Sequence, residues 1–196
     1  MSFTLLIGGS RCGKSSLAVQ RACAWADTCN ESSVDPGHEH HLVFVATGSA
    51  GDDEMTRRIA AHREERDGRW TTVEAPDDLV AGVASALAIG PRSLVLIDCL
   101  SFWVANRLMG VDDNSVAWAA TEERLTAEMR TVADMLAHGS APSIVVTNEV
   151  GSGVVPDNAL GRQFRDTLGR INAIASRAAN DALLVVAGRT LRLERA

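Results

Sequence analysis

Near the start of the chain, Gly8-Gly9-Ser10-Arg11-Cys12-Gly13-Lys14-Ser15 matches the phosphate-loop pattern G-x-x-x-x-G-K-[ST] at every fixed position. The flanks narrow the fold further. Phe3-Thr4-Leu5-Leu6-Ile7 reads as a short buried strand. From Ser15, the residues Leu17, Ala18, Ala22 and Trp25 recur at helical spacing, which predicts a helix over residues 15–26. The glycines therefore join a strand end to a helix N-terminus, where Gly8, Gly9 and Gly13 let the backbone turn its N–H groups toward phosphate oxygens. Lys14 reaches the β/γ-phosphates in this arrangement, and Ser15 can ligate Mg²⁺. A glycine corner alone would be only a turn. The strand, the helix and the Lys-Ser ending together predict an α/β fold of the P-loop NTPase, RecA-like type. Its central sheet should be mostly parallel, with helices on both faces.

Residues 27–41 hold Asn, Ser, Asp, Pro and Gly without periodicity and read as an exposed loop. His38, His40 and His41 beside Glu39 could in principle hold a metal, although loops carry such groups by chance. Leu42-Val43-Phe44-Val45-Ala46 is a continuous apolar run, the pattern of a parallel strand covered on both faces. Ligands bind beyond the carboxyl ends of such strands, which places Ala46, Thr47 and Gly48 near a nucleotide. Residues 52–66 then read as a helix with Arg58, His62 and Arg66 one turn apart along one face. Two flanking guanidinium groups disfavour the charged imidazole and attract phosphate, which makes His62 a candidate nucleophile. A solvated basic face with a bystander histidine has the same spacing.

Trp70 to Pro76 reads as extended, and Asp77 or Asp78 caps a helix running to about residue 89, where Gly90-Pro91 stops it. Ser93-Leu94-Val95-Leu96-Ile97-Asp98 is an apolar strand ending in a carboxylate. P-loop enzymes hold the water shell of a nucleotide-bound Mg²⁺ with such a group, so Asp98 pairs with the upstream loop. A helical segment around Trp103 and a helix over residues 115–137 carry no evident chemistry. The strand over residues 143–147 leads into the polar, glycine-rich stretch Asn148-Glu149-Val150-Gly151-Ser152-Gly153-Val154-Val155-Pro156, again on the ligand side. A helix over residues 158–180 has Leu160, Phe164, Leu168, Ile171 and Ala175 on an inner face. Arg162, Arg165 and Asn172 lie on another face, open to an anionic substrate, a neighbouring subunit or solvent. Residues 183–187 close the sheet, with 190–193 as an added edge strand.

Composition sets the outer bounds. With 196 residues, 46% of them hydrophobic, and no Pro/Gly/Ser-rich break, the chain reads as one nucleotide-binding domain over residues 1–196. A net charge of −6 argues against a general nucleic-acid or anionic-membrane binder, leaving small molecules as partners. No stretch approaches the roughly 20 apolar residues of a membrane span, so a cytoplasmic protein is expected. Cys12, Cys23, Cys29 and Cys99 lack C-x-x-C spacing and read as reduced thiols.

Several segments together resemble one family. They are Gly8-Gly9-Ser10-Arg11-x-Gly13-Lys14-Ser15, Val45-Ala46-Thr47, Met55-x-x-Arg58-Ile59-x-x-His62-Arg63 followed by Arg66 and Trp70, and Ile97-Asp98-Cys99-Leu100 with Trp103 and Asn106. Thr147-Asn148-Glu149-Val150-Gly151-x-Gly153-Val154-Val155-Pro156 follows, with Arg162-x-Phe164-Arg165-Asp166-x-x-Gly169-Arg170-x-Asn172. This pattern is similar to the bifunctional adenosylcobinamide kinase/adenosylcobinamide-phosphate guanylyltransferases of cobalamin biosynthesis, over nearly the whole chain.

The resemblance implies two reactions. ATP or GTP phosphorylates adenosylcobinamide; GTP then donates GMP to an enzyme histidine, from which the substrate phosphate takes it to give adenosylcobinamide-GDP. His62 matches the guanylylated histidine. Gly8 to Ser15, Ala46-Thr47-Gly48, Arg63, Glu64, Glu65, Arg66, Glu74 and Asp98 match positions that contact GTP, and the family pattern implies a homotrimer. From the residues alone, a nucleotide-dependent switch or a plain small-molecule kinase would use Lys14, Ser15 and Asp98 without needing His62.

Overall fold

The computed structural model describes residues 2–31, 40–48, 68–112 and 114–195. His62, with Arg58, Arg63, Glu64, Glu65 and Arg66, lies outside the described residues, as do His38 and Glu39. Long apolar runs become strands here because a parallel sheet is covered on both faces. The strands are β1 (Phe3–Gly8), β2 (His41–Ala46), β3 (Trp70–Glu74), β4 (Ser93–Asp98), β5 (Ser143–Asn148), β6 (Asp181–Val186) and β7 (Arg189–Arg192). They form one seven-stranded sheet in the order β3-β2-β4-β5-β1-β6-β7. All pairings are parallel except β6 with β7, which are antiparallel across a turn at Ala187 and Gly188, both at positive φ. The α/β, mostly parallel expectation holds, and β5 between the phosphate-loop strand and the Asp98 strand gives the RecA-like order.

Alternation along each strand divides the core in two. Phe3, Leu5, Val43, Val45, Val95, Ile97 and Val145 face one side, under α2 (Leu79–Leu87), α3 (Leu100–Leu108), α4 (Ser115–His138) and α5 (Ala159–Ala178). Leu6, Leu42, Phe44, Leu94, Leu96, Ile144 and Val146 face the other, against Ala18, Ala22 and Ala26 of α1 (Lys14–Glu31). An alanine at every fourth position lets α1 lie close to the sheet directly behind the phosphate loop.

Three local readings change. Helix α1 continues beyond residue 26 to Glu31, since Thr28 donates to the Ala24 carbonyl and Asp27 pairs with Arg69. His40 is likewise fixed: Asn30 Oδ1 accepts from its backbone N–H at 3.1 Å, and its ring meets Trp25 edge-on. On α5, whose first turn is capped by Asn158, Leu160 is 47% exposed rather than facing inward. Asn172, placed on an outer face from spacing, is buried instead.

Candidate active site

Parallel register aligns the carboxyl ends of the strands into one rim. Glu74 is level with Ala46 and Ala46 with Asp98, while Asp98 is level with Val146 and Gly8 with Asn148. Backbone bonds extend the rim by one residue: Ala75 donates to Ala46 at 2.7 Å, and Glu149 donates to Gly8 at 3.0 Å. Gly8 through Ser15, Ala46 to Gly48, Glu74 and Asp98 therefore share one end of the sheet. Two strand spacings, roughly 10 Å, separate Asp98 from β1.

The loop conformation is set by its glycines. A Cβ on Gly8 would lie 2.2 Å from the Val185 carbonyl oxygen, so β1 can pass β6 here only without a side chain. Gly13 turns the chain into α1 at φ 99°, and Arg11 also sits at positive φ, 56°. The β6–β7 turn braces the loop, with Gly188 donating to the Cys12 carbonyl at 2.9 Å. Lys14 is only 6% exposed. Its ammonium donates to Gly9 O at 2.6 Å and meets Cys12 Sγ at 3.6 Å, which leaves one N–H without a partner among the described residues. A nearly buried ammonium beside the glycine loop, at a helix N-terminus with no acidic residue in its first turn, can accept an anion.

The Asp98 end is held by a buried network. The Thr47 hydroxyl donates to Cys99 O at 2.7 Å and accepts from Cys99 N at 2.8 Å, which ties β2 to the peptide beside Asp98. Asn106 of α3 donates to both Thr47 O and Pro76 O at 2.9 Å. Thr47 thus spends its hydroxyl on the protein. Burial pushes the Cys99 thiol up to about 12, with the Asp98 charge adding to the effect, so Cys99 is an inert neighbour. A matching brace secures β5: Thr147 donates to Asn172 Oδ1 at 2.7 Å, and Asn172 donates to Asn148 O at 2.9 Å.

Comparison with known proteins fits this geometry. The model of the family described as cobinamide kinase / cobinamide phosphate guanyltransferase matches residues 4–193. This chain belongs to that family. It is 35% identical over 188 residues to the bifunctional adenosylcobalamin biosynthesis protein CobU of Escherichia coli (strain K12), covering 94% of this chain and 95% of that protein. It is 33% identical over 190 residues to the bifunctional adenosylcobalamin biosynthesis protein CobP of Pseudomonas aeruginosa, covering 97% and 96%.

For a cobinamide kinase / cobinamide phosphate guanyltransferase, the donors present suit Mg²⁺. The Ser15 hydroxyl and the Asp98 carboxylate are hard oxygen donors at the same rim. Among the described residues no group of three or more His, Cys, Asp or Glu forms a cage. Mg²⁺ favours one or two protein oxygens completed by water and phosphate. Asn106, Thr147 and Asn172 went unread as structural parts of the site; Thr147 alone left a signal, a polar residue at the end of an apolar strand, whereas Asn106 and Asn172 sit in helices with other polar residues. A separate cavity of about 480 Å³, lined by Arg177, Asn180, Ala182 and Glu194, lies at the amino-terminal edge of β6, away from the phosphate loop. No described helix is long and apolar enough to cross a membrane.

Proposed function

We propose that this chain carries out both family reactions at one phosphate site, as a single nucleotide-binding domain acting in a cytoplasmic homotrimer. In the first, the aminopropanol hydroxyl of adenosylcobinamide attacks the γ-phosphorus of ATP or GTP, and the bond to the β,γ-bridging oxygen breaks. In the second, His62 attacks the α-phosphorus of GTP, pyrophosphate leaves, and the phosphate of adenosylcobinamide phosphate displaces the histidine to yield adenosylcobinamide-GDP.

The observation that carries this reading is the phosphate loop with its buried Lys14, on the same rim as Asp98, in a chain that matches the family over almost its full length. Held at β and γ, a triphosphate presents its transferred group in the kinase step and its leaving group in the guanylyl step. Gly8, Gly9, Ser10, Arg11, Cys12, Gly13, Lys14 and Ser15 grip the phosphates. Ala46, Thr47, Gly48, Arg63, Glu64, Glu65, Arg66 and Glu74 line the rest of the nucleotide. Thr47 contributes by position and backbone, since its hydroxyl is committed to Cys99. Ser15 and Asp98 would hold Mg²⁺, partly through water, and the ion would neutralise charge on the phosphates.

The test is covalent labelling. With Mg²⁺ and GTP labelled at the α-phosphate, the wild-type chain should retain acid-labile label that passes to adenosylcobinamide phosphate. His62→Ala should lose labelling and guanylyl transfer while still phosphorylating adenosylcobinamide. Label that persists in His62→Ala moves the nucleophile elsewhere, and an unlabelled wild type leaves a plain kinase or a switch. Light scattering at three times the monomer mass checks the trimer.

A further inference from the structure

The two reactions differ in one chemical requirement. An aliphatic hydroxyl must give up a proton as its oxygen bonds to phosphorus, whereas a neutral imidazole nitrogen attacks with its lone pair and needs no base. The phosphate accepting GMP is already ionised. The kinase step alone therefore calls for a free carboxylate or imidazole near the γ-phosphate: Lys14 is a cation, and the proposed function commits Asp98 to Mg²⁺.

We infer that Glu149 is the general base of the kinase step. Glu149 is the first residue past β5, the strand lying between the phosphate-loop strand β1 and the Asp98 strand β4. Its backbone N–H donates to Gly8 O at 3.0 Å, so it is pinned to the start of the phosphate loop. Behind it, the Thr147–Asn172–Asn148 brace fixes the end of β5. The carboxylate is oriented as well. Oε1 accepts from Gly151 N at 2.6 Å and Ser152 N at 3.1 Å, while Oε2 has no partner among the described residues. One oxygen is held by the turn and the other is available, on a half-buried side chain at the rim where the phosphates would lie.

The step balances with what is present. The acceptor oxygen forms its bond to the γ-phosphorus, the bond from that phosphorus to the β,γ-bridging oxygen breaks, and the hydroxyl proton passes to Glu149 Oε2. The nucleoside diphosphate leaves with the bridging electron pair, and Glu149 later returns the proton to water. The two N–H donors on Oε1 keep the carboxylate aimed through the transfer.

The inference rests on the proposed function, and Glu149→Gln separates the two. Glutamine keeps the shape and an oxygen to accept from Gly151 and Ser152, but it cannot take a proton. Its phosphorylation of adenosylcobinamide should fall on the order of 100-fold, the lower end of general-base contributions, at unchanged KM for ATP. The same preparation should form the GMP adduct from labelled GTP at the wild-type rate and melt at the wild-type temperature. Glu149→Asp should recover part of the kinase rate. Wild-type kinase turnover in Glu149→Gln overturns the inference, and so does equal loss of both activities, which would make Glu149 only a support of the loop. A wild type that transfers no phosphate overturns the functional reading and this inference with it.

Discussion

At the scale of single residues, the rim holds two buried side chains in opposite roles. Lys14 and Cys99 are both buried, yet the ammonium keeps an N–H unpartnered among the described residues, while the thiol is held far from ionisation. Cys99 stands beside Asp98 and shares a hydrogen bond with Ser101 at 2.8 Å, but burial is the larger influence and raises it from 9.0 to about 12. Cys12, Cys23 and Cys29 are only half-buried. At pH 8 an excess of maleimide should therefore modify those three in the native protein and reach Cys99 only in denaturant, as peptide mass mapping would read out; native labelling of Cys99 refutes the burial argument. The sign for stability follows. Below pH 9 the thiol is protonated in both states, so the advantage it lends the folded form is complete. As pH rises through 9 toward 12 the unfolded chain loses its proton first, and this contribution to stability declines.

At the scale of elements, helices and strands are joined at the rim by buried Thr–Asn pairs rather than by apolar packing alone. Thr47→Val keeps the volume but leaves Cys99 N without its acceptor and Cys99 O without its donor, a loss of about 1–3 kcal/mol. Urea denaturation should show that loss, and the Mg²⁺ concentration for half-maximal activity should rise because the peptide beside Asp98 is released. Thr47→Ser, which keeps the hydroxyl, should restore most of both; a Thr47→Val protein as stable as the wild type removes the brace from the account. The same braces explain what could be read in advance. Strands β2, β4 and β5 were legible within a residue because both faces are covered and, after a polar first residue, each runs apolar until the rim. The positions of the glycine loop and of Asp98 at strand ends were legible because the motif fixes their residue types after an apolar run. Asn172 was not, since a buried polar side chain and a solvated one have the same spacing, and only the bond to Thr147 distinguishes them. Residues 27–31 looked like loop for the same reason: Asp27, Thr28 and Asn30 satisfy partners outside their own turn or one turn back, which composition does not reveal.

At the scale of the whole molecule, the proposed function gives one phosphate loop two reactions, and that sharing has a kinetic consequence. In the kinase step the loop would hold the β- and γ-phosphates of the donor; in the guanylyl step the same two phosphates would depart together as pyrophosphate. Free pyrophosphate therefore presents to Lys14 and the glycine N–H groups the part of the nucleotide they are shaped for. It should inhibit phosphorylation of adenosylcobinamide competitively with ATP, raising the KM for ATP while leaving kcat unchanged, since nothing about the bound ATP complex is altered. The same ion should strip GMP from the labelled enzyme and regenerate GTP, because it returns to the place it left and the phosphoramidate bond is the one broken. Two separate phosphate sites would give another pattern. Pyrophosphate bound at a second site would lower kcat for phosphorylation or leave it untouched, and its reversal of the adduct would bear no relation to its effect on ATP. Matching the inhibition constant of pyrophosphate against ATP with the pyrophosphate concentration that half-saturates the rate of adduct reversal, both at fixed Mg²⁺, decides between one loop and two. Agreement is expected, because the carboxyl rim from Glu74 to Gly8 is continuous and holds a single Gly-Lys-Ser turn among the described residues.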